Sequence, residues 1–269
     1  MTQTLLIPSQ GSTLQVHAHG SGTPVVFLHA AVCDSRMWAA QMAHLGESHR
    51  VIAYDRPGFG GSPARDESAS SITDWLAVLA ALGVEEPVVL VACSQGGRIA
   101  LEAALTHPSR IRGLFLIAPS LSGAPAPAYP PEIESLLRVQ QLAQDAGDWE
   151  RCNQIKARLW LDGPLSPEMR VDGAARQLFL AMNSIAIANR DRGGESDSIP
   201  VYDRLAEIRA PARVIWGDLD FPHVQQRAKR VADHLPKGDG LCLPGAAHLP
   251  SLECPDTVNK LLERFLAEG

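Results

Sequence analysis

Pro87-Val-Val-Leu-Val-Ala-Cys-Ser94-Gln-Gly-Gly-Arg-Ile-Ala-Leu101 is the stretch on which the fold turns. It opens with an unbroken apolar run, the pattern of a strand covered on both faces. From residue 98 to 106 the sequence reads as a helix. Between the two, Ala92-Cys-Ser94-Gln-Gly96-Gly97 leaves room only for a sharp turn. Such a turn lifts a serine hydroxyl above the end of a sheet. It needs small residues two before and two after the serine, because strand and helix backbones pass close together. Gly96 meets that need, and Ala92 meets it with one methyl more. The plainer reading is a serine N-cap in an ordinary strand-to-helix loop.

The same alternation continues on either side. Residues 4–7 and 14–19 read as two edge strands, 24–29 as a strand buried on both faces, and 50–54 as the next. Residues 37–45 and 72–82 read as helices, the second stopped by Gly83. Beyond the turn, 111–118, 213–216 and 240–243 read as strands, and 224–234 and 254–267 as helices. Strands alternating with helices indicate the α/β class, a mostly parallel, doubly wound sheet. The composition shifts after Ser120: Gly123-Ala-Pro-Ala-Pro-Ala-Tyr-Pro-Pro131 is rich in Pro and Ala, and no buried-strand run follows until about residue 200. The expected organisation is therefore a core of residues 1–120 and 201–269 interrupted by a helical cap, 121–200.

Composition removes several classes of function. The chain has 269 residues, 45% hydrophobic and 20% charged, which is ordinary globular composition. A chain of this size buries enough surface to fold without disulfides or metal. Lys and Arg number 24 against 30 Asp and Glu, and the net charge is -6. With no basic cluster, neither nucleic acid nor an anionic membrane is an expected partner. No apolar run approaches the ~18 residues of a membrane span, and residues 1–11 lack the pattern of a signal peptide. Five cysteines without C-x-x-C spacing suggest reduced thiols in a cytoplasmic protein. No metal-binding or nucleotide-binding motif is found, so no cofactor is expected. A small-molecule substrate is the expected partner, and the sequence leaves a homodimer open.

Three further segments carry chemistry. Phe27-Leu-His-Ala-Ala31 follows a buried strand, with Ser35 and Trp38 downstream. Val214-Ile-Trp-Gly217-Asp218-Leu219-Asp220-Phe-Pro222 ends a late strand. Pro244-Gly-Ala-Ala-His248-Leu-Pro250 follows the last strand. Together with Asp55-Arg-Pro-Gly-Phe-Gly-Gly-Ser62 and the Ser94 turn, these segments resemble the α/β-hydrolase superfamily, whose nucleophile, acid and base occur in the chain order Ser…Asp…His. The resemblance covers nearly all of the chain outside residues 121–200. It implies Ser94 as nucleophile, His248 as base and Asp220 as the orienting acid. Asp220 fits the superfamily's G-x-x-D spacing from Gly217, and Asp218 is its near rival. The resemblance implies an oxyanion hole made by the backbone N–H groups of Ala31 and Gln95, with His29 bracing the first of these loops. Ala30 departs from the family, which usually has Gly there. Cys93 is read as a packed apolar residue.

The implied reaction is acyl transfer: His248 takes the Ser94 proton, the oxyanion receives two N–H groups, and water releases the acyl-enzyme. The cap placement resembles small-molecule carboxylesterases and enol-lactone hydrolases, so a small ester or lactone is the expected substrate. Trp160, Phe179 and Met182 are candidate substrate contacts, with helix-on-helix packing as their plainer role. Two alternatives stay open. One is carbon–carbon bond hydrolysis of a ring-cleavage product by the same triad. The other is a ligand-binding protein of this fold with little turnover. A serine at position 94 argues against haloalkane dehalogenases, which use Asp there.

Overall fold

Val26 and Leu28 enter one buried cluster, while Val25 and Phe27 enter another. That alternation along a single strand is what a sheet with helices on both faces requires. The computed structural model describes residues 2–191, 193–196 and 198–268. Among these, the strands are β1 (Gln3–Ser9), β2 (Ser12–His19), β3 (Pro24–Leu28), β4 (Arg50–Tyr54), β5 (Val88–Cys93), β6 (Ile111–Ile117), β7 (Ala212–Gly217) and β8 (Gly238–Leu243). The helices are α1 (Ala39–Leu45), α2 (Ser71–Ala81), α3 (Gln95–Thr106), α4 (Pro131–Asp145), α5 (Trp149–Ala157), α6 (Gly173–Ala188), α7 (Pro222–His234), α8 (Pro250–Glu253) and α9 (Pro255–Glu268).

The sheet order is β1-β2-β4-β3-β5-β6-β7-β8. Pairing is antiparallel at β1–β2 and β2–β4 and parallel from β4 through β8. This is the α/β-hydrolase fold. One cluster receives α1 and α9, the other α2, α3 and α7. The first cluster also takes in apolar residues of α4, α5 and α6, including Ile133, Ile155, Phe179 and Met182.

The first hairpin corrects one expectation. Residues 4–7 and 14–19 read as two edge strands, but only β1 is an edge, because β2 lies between β1 and β4. Ser9 pairs with Ser12 across the two-residue loop Gln10-Gly11, whose φ angles are 42° and 77°. Two positive φ angles make the hairpin turn whose twist matches that of its strands. The hairpin therefore adds to the sheet as a unit, and only the outer edge of β1 is left open.

The chain leaves the sheet after β6 and returns where it left: Ser122 O accepts the N–H groups of Val201 and Tyr202, each at 3.0 Å. Between these points lie α4, α5, a π turn at Arg158–Asp162, and α6. Residues 193–196 are then stitched to 65–69, with Gly193 N–H on Arg65 O at 2.7 Å and Ala69 N–H on Gly194 O at 3.0 Å. Among the described residues, no helix is long and apolar enough to cross a membrane.

Candidate active site

Parallel strands deliver their carboxyl ends to one edge of a sheet, and open α/β sheets carry their sites along that edge. Ser94 follows β5, Asp220 follows β7, His248 follows β8, and Ala31 and Arg56 follow β3 and β4.

Ser94 sits at φ 52° and ψ −115°. Serine rarely adopts such a conformation, and it persists only where the surroundings over-determine it. They do so here. Ser94 N–H donates to Ile117 O at 3.0 Å, and Ser94 O accepts Arg98 N–H at 3.1 Å and Ser120 N–H at 2.9 Å. The helix starts at once, and its first glycine is obligatory: a Cβ on Gly96 would lie 2.3 Å from Leu28 O. Ala92 is buried in β5 between Leu28 and Leu116, and its φ is not positive, so its methyl is accommodated. As the residue opening α3, Gln95 holds one of the N–H groups that a helix leaves without an internal partner.

His248 Nδ1 lies 2.7 Å from Asp220 Oδ2, and both side chains are buried. An ionised carboxylate only accepts, so Nδ1 carries the proton and Nε2 of the neutral ring keeps its lone pair. The other oxygen, Asp220 Oδ1, accepts Phe221 N–H at 2.7 Å where α7 begins. Asp218 goes elsewhere. It is exposed, and its carboxylate accepts Gly245 N–H at 2.7 Å, which shapes the turn before His248. The loops meet at Cys93, whose Sγ lies 3.7 Å from His248 O. Burial raises the Cys93 thiol well above its ordinary pKa, and Asp220 adds to the effect. A thiol held protonated is a packing group.

The loop after β3 is braced by a histidine. His29 Nε2 accepts Arg56 N–H at 3.1 Å, and its Nδ1 lies 2.8 Å from Ala30 O. The Arg56 guanidinium also donates to His29 O at 3.0 Å. Ala30 is fully buried with φ outside the left-handed region, which is why alanine replaces the usual glycine without strain. Ala31 stands in the turn that follows.

Comparison with known proteins adds the family. Residues 25–261 match the family model described as "Alpha/beta hydrolase family". The chain belongs to the alpha/beta hydrolase family. Among its relatives is a pimeloyl-[acyl-carrier protein] methyl ester esterase of Edwardsiella ictaluri, 30% identical over 265 residues, covering 96% of this chain and 98% of that protein. A 2-hydroxy-6-oxononadienedioate/2-hydroxy-6-oxononatrienedioate hydrolase of Burkholderia vietnamiensis is 25% identical, covering 97% of this chain and 93% of that one. Of solved structures, a thermophilic esterase from Thermogutta terrifontis is 25% identical with a TM-score of 0.78, covering 99% and 98% of the two chains.

In this alpha/beta hydrolase the three candidate substrate contacts separate. Trp160, on the π turn, lies with its ring centroid 4.6 Å from that of His248 and 4.6 Å from that of Phe221. Such a ring shields the His248–Asp220 bond from water, and low local dielectric strengthens it. Phe179 and Met182 are buried within the cluster shared with α1 and α9. Next to Phe221, His223 packs edge-on against Tyr129, and burial lowers its pKa to about 4.

A cavity of about 260 Å³ opens beside Gln95. Its wall is polar, with Arg56, Arg65, Asp74, Arg190 and Glu195. Asp74 pairs with Arg65, and Glu195 with Arg98. Arg190 and Glu195 bring polar groups to this wall, which the apolar residues singled out in the sequence did not foreshadow.

Sequence reasoning also missed Glu253 and Arg170. Glu253 accepts the N–H groups of Ala247 at 2.8 Å and Leu249 at 3.0 Å, on either side of His248. Arg170 pairs with Glu253 from the helical segment. The spacing of Glu253 from His248 was the only available signal; a pair 83 residues apart leaves none. Among the described residues, no group of three His, Cys, Asp or Glu side chains is placed to hold a metal ion.

Proposed function

We propose that this hydrolase is a serine esterase acting on a small ester or lactone, with Ser94 as nucleophile, His248 as base and Asp220 as its orienting acid. The observation that carries the reading is the buried 2.7 Å bond from His248 to Asp220, with a serine held at φ 52° next in the chain to Cys93, whose Sγ lies 3.7 Å from His248 O. The bond sets the tautomer a general base needs and stabilises the imidazolium that forms. The N–H groups of Ala31 and Gln95 take the oxyanion. Attack on the ester carbonyl gives an acyl-Ser94 intermediate and releases the alcohol with the proton His248 took. Water then enters by the same route. Residues 121–200 act as a cap, with Trp160 over the base. The reading is supported by relatives named as esterases.

The experiment is a fluorophosphonate probe followed by peptide mapping, with Ser94→Ala as control. The adduct is expected on Ser94, and Ser94→Ala is expected to lose about 10⁶ in kcat. An adduct on another serine during ester turnover would overturn the assignment. A second reading, carbon–carbon hydrolysis, is favoured by the relative from Burkholderia vietnamiensis, whose name specifies a dioate, and by the polar wall beside Gln95. A panel with an ester, a lactone and a vinylogous diketone separates the two readings by relative kcat/KM.

A further inference from the structure

The loop that carries His248 is held from both sides by one carboxylate, and that carboxylate is held by the cap. Glu253 Oε2 accepts Ala247 N–H and Oε1 accepts Leu249 N–H. An ionised carboxylate can serve two donors in this way, whereas a protonated one turns one oxygen into a donor. Burial works against the ionised form and raises the pKa of Glu253. The balancing charge comes from Arg170, which pairs with Glu253. Its remaining donors reach Asp162 O at 2.6 Å, Leu161 O at 2.8 Å and Gly245 O at 2.9 Å. One guanidinium therefore ties the π turn bearing Trp160 to the His248 loop at Gly245 and at Glu253. The π turn is anchored in its own right: the Asp162 carboxylate accepts the N–H groups of Met169 and Val171 and pairs with buried Arg176.

We infer that Arg170 is a positioning residue for His248: it keeps Glu253 in the form that clasps Ala247 and Leu249, so the cap holds the base in place. The inference rests on the reading of Ser94 and His248 given above. The titratable groups around Glu253 are Arg170 from the cap, Cys93 from β5, Cys254 beside it in the chain, and His248 in the loop it clasps. Arg170 is the cation among them. Without it, Glu253 takes up a proton at higher pH, and the clasp on His248 opens as the pH falls.

The test is the pH profile of kcat/KM on an activated ester, and of the Ser94 labelling rate, for Arg170→Gln, Arg170→Lys and Glu253→Gln. Arg204→Gln, at an exposed surface pair, is the control. A misplacement of about an ångström can cost about 10², so Arg170→Gln is expected to lose up to that factor in kcat near neutral pH, with KM little changed. Its acid limb should move to higher pH, with activity recovering above it. Arg170→Lys keeps the charge and should restore the position of the limb. Glu253→Gln cannot titrate, so it should lose activity without moving the limb. If Arg170→Gln does not fold, Arg170→Lys and Glu253→Gln still carry the comparison, because both should keep the parent's limb position while only Glu253→Gln should lose activity. An unmoved limb in folded Arg170→Gln, or a limb in Arg170→Lys that differs from that of the parent, overturns the inference. Undiminished activity in Ser94→Ala would overturn the underlying reading instead.

Discussion

The two loops that bring the candidate nucleophile and base together are built in opposite ways. The turn at Ser94 is written locally. Its φ of 52° follows from a strand that runs straight into a helix, with Gly96 against Leu28 O and with Ile117 O and Ser120 N–H bracing it. The loop at His248 is held at a distance, by Asp220 from 28 positions earlier and Arg170 from the helical segment through Glu253. A local device can be written in half a dozen consecutive residues. A distributed one is only as visible as its most separated pair.

The comparison breaks most visibly at the distributed loop. Asp220→Asn should lower kcat by about 10⁴, because the amide no longer holds the productive tautomer. Asp218→Asn should cost little, since its carboxylate only accepts a turn N–H. Steady-state kinetics on both variants decides this, and equal losses would mean that Asp218 shares the role.

Damage to the local loop should instead register first in stability. Gly96→Ala places a methyl 2.3 Å from a main-chain oxygen, and overpacking of this kind costs about 1–3 kcal/mol. A lowered urea midpoint with an unchanged m-value is expected, together with slower labelling at Ser94. A stable variant with wild-type labelling would show that the elbow is looser than its contacts imply.

The smallest effect concerns His223. Its pKa falls from the ordinary 6.5 to about 4 on folding, chiefly through burial. The unfolded chain therefore binds more protons between those values. The ring's contribution is complete above about pH 6.5 and is lost as the pH falls toward 4. The ring is half-exposed and screened, so the loss is at most about 1 kcal/mol, or roughly 2–4 °C in Tm. Melting curves of His223→Gln should be flatter across that window than those of the parent.

The contrast between the loops also explains what could be read in advance. Strand β4 falls where the apolar run predicts, and β3 and β5 fall within a residue, because a strand buried on both faces is a continuous apolar word. The helix after Ser94 begins at Gln95 rather than at residue 98. Gly96 and Gly97 read as loop by propensity, yet they are helical because only glycine fits against Leu28 and Pro119. The candidate triad was legible through chain order and turn chemistry. The distinction between Trp160 and its companions Phe179 and Met182 was not, since three apolar residues look alike until a π turn sets one of them on the imidazole. Arg170 was invisible, because an ion pair across 83 residues has no period and no motif.

If Ser94 is the nucleophile proposed above, its backbone sets durability against turnover. An angle natural to glycine is occupied by serine, at a cost of about 1–3 kcal/mol of conformational energy. Glycine at that position would relieve the strain, but it would remove the hydroxyl. Under selection for heat resistance alone, position 94 should drift to glycine; under selection for catalysis it should not. The same residue therefore reports which demand a population of variants has met, and thermostabilisation of this hydrolase has to be sought away from this strained position.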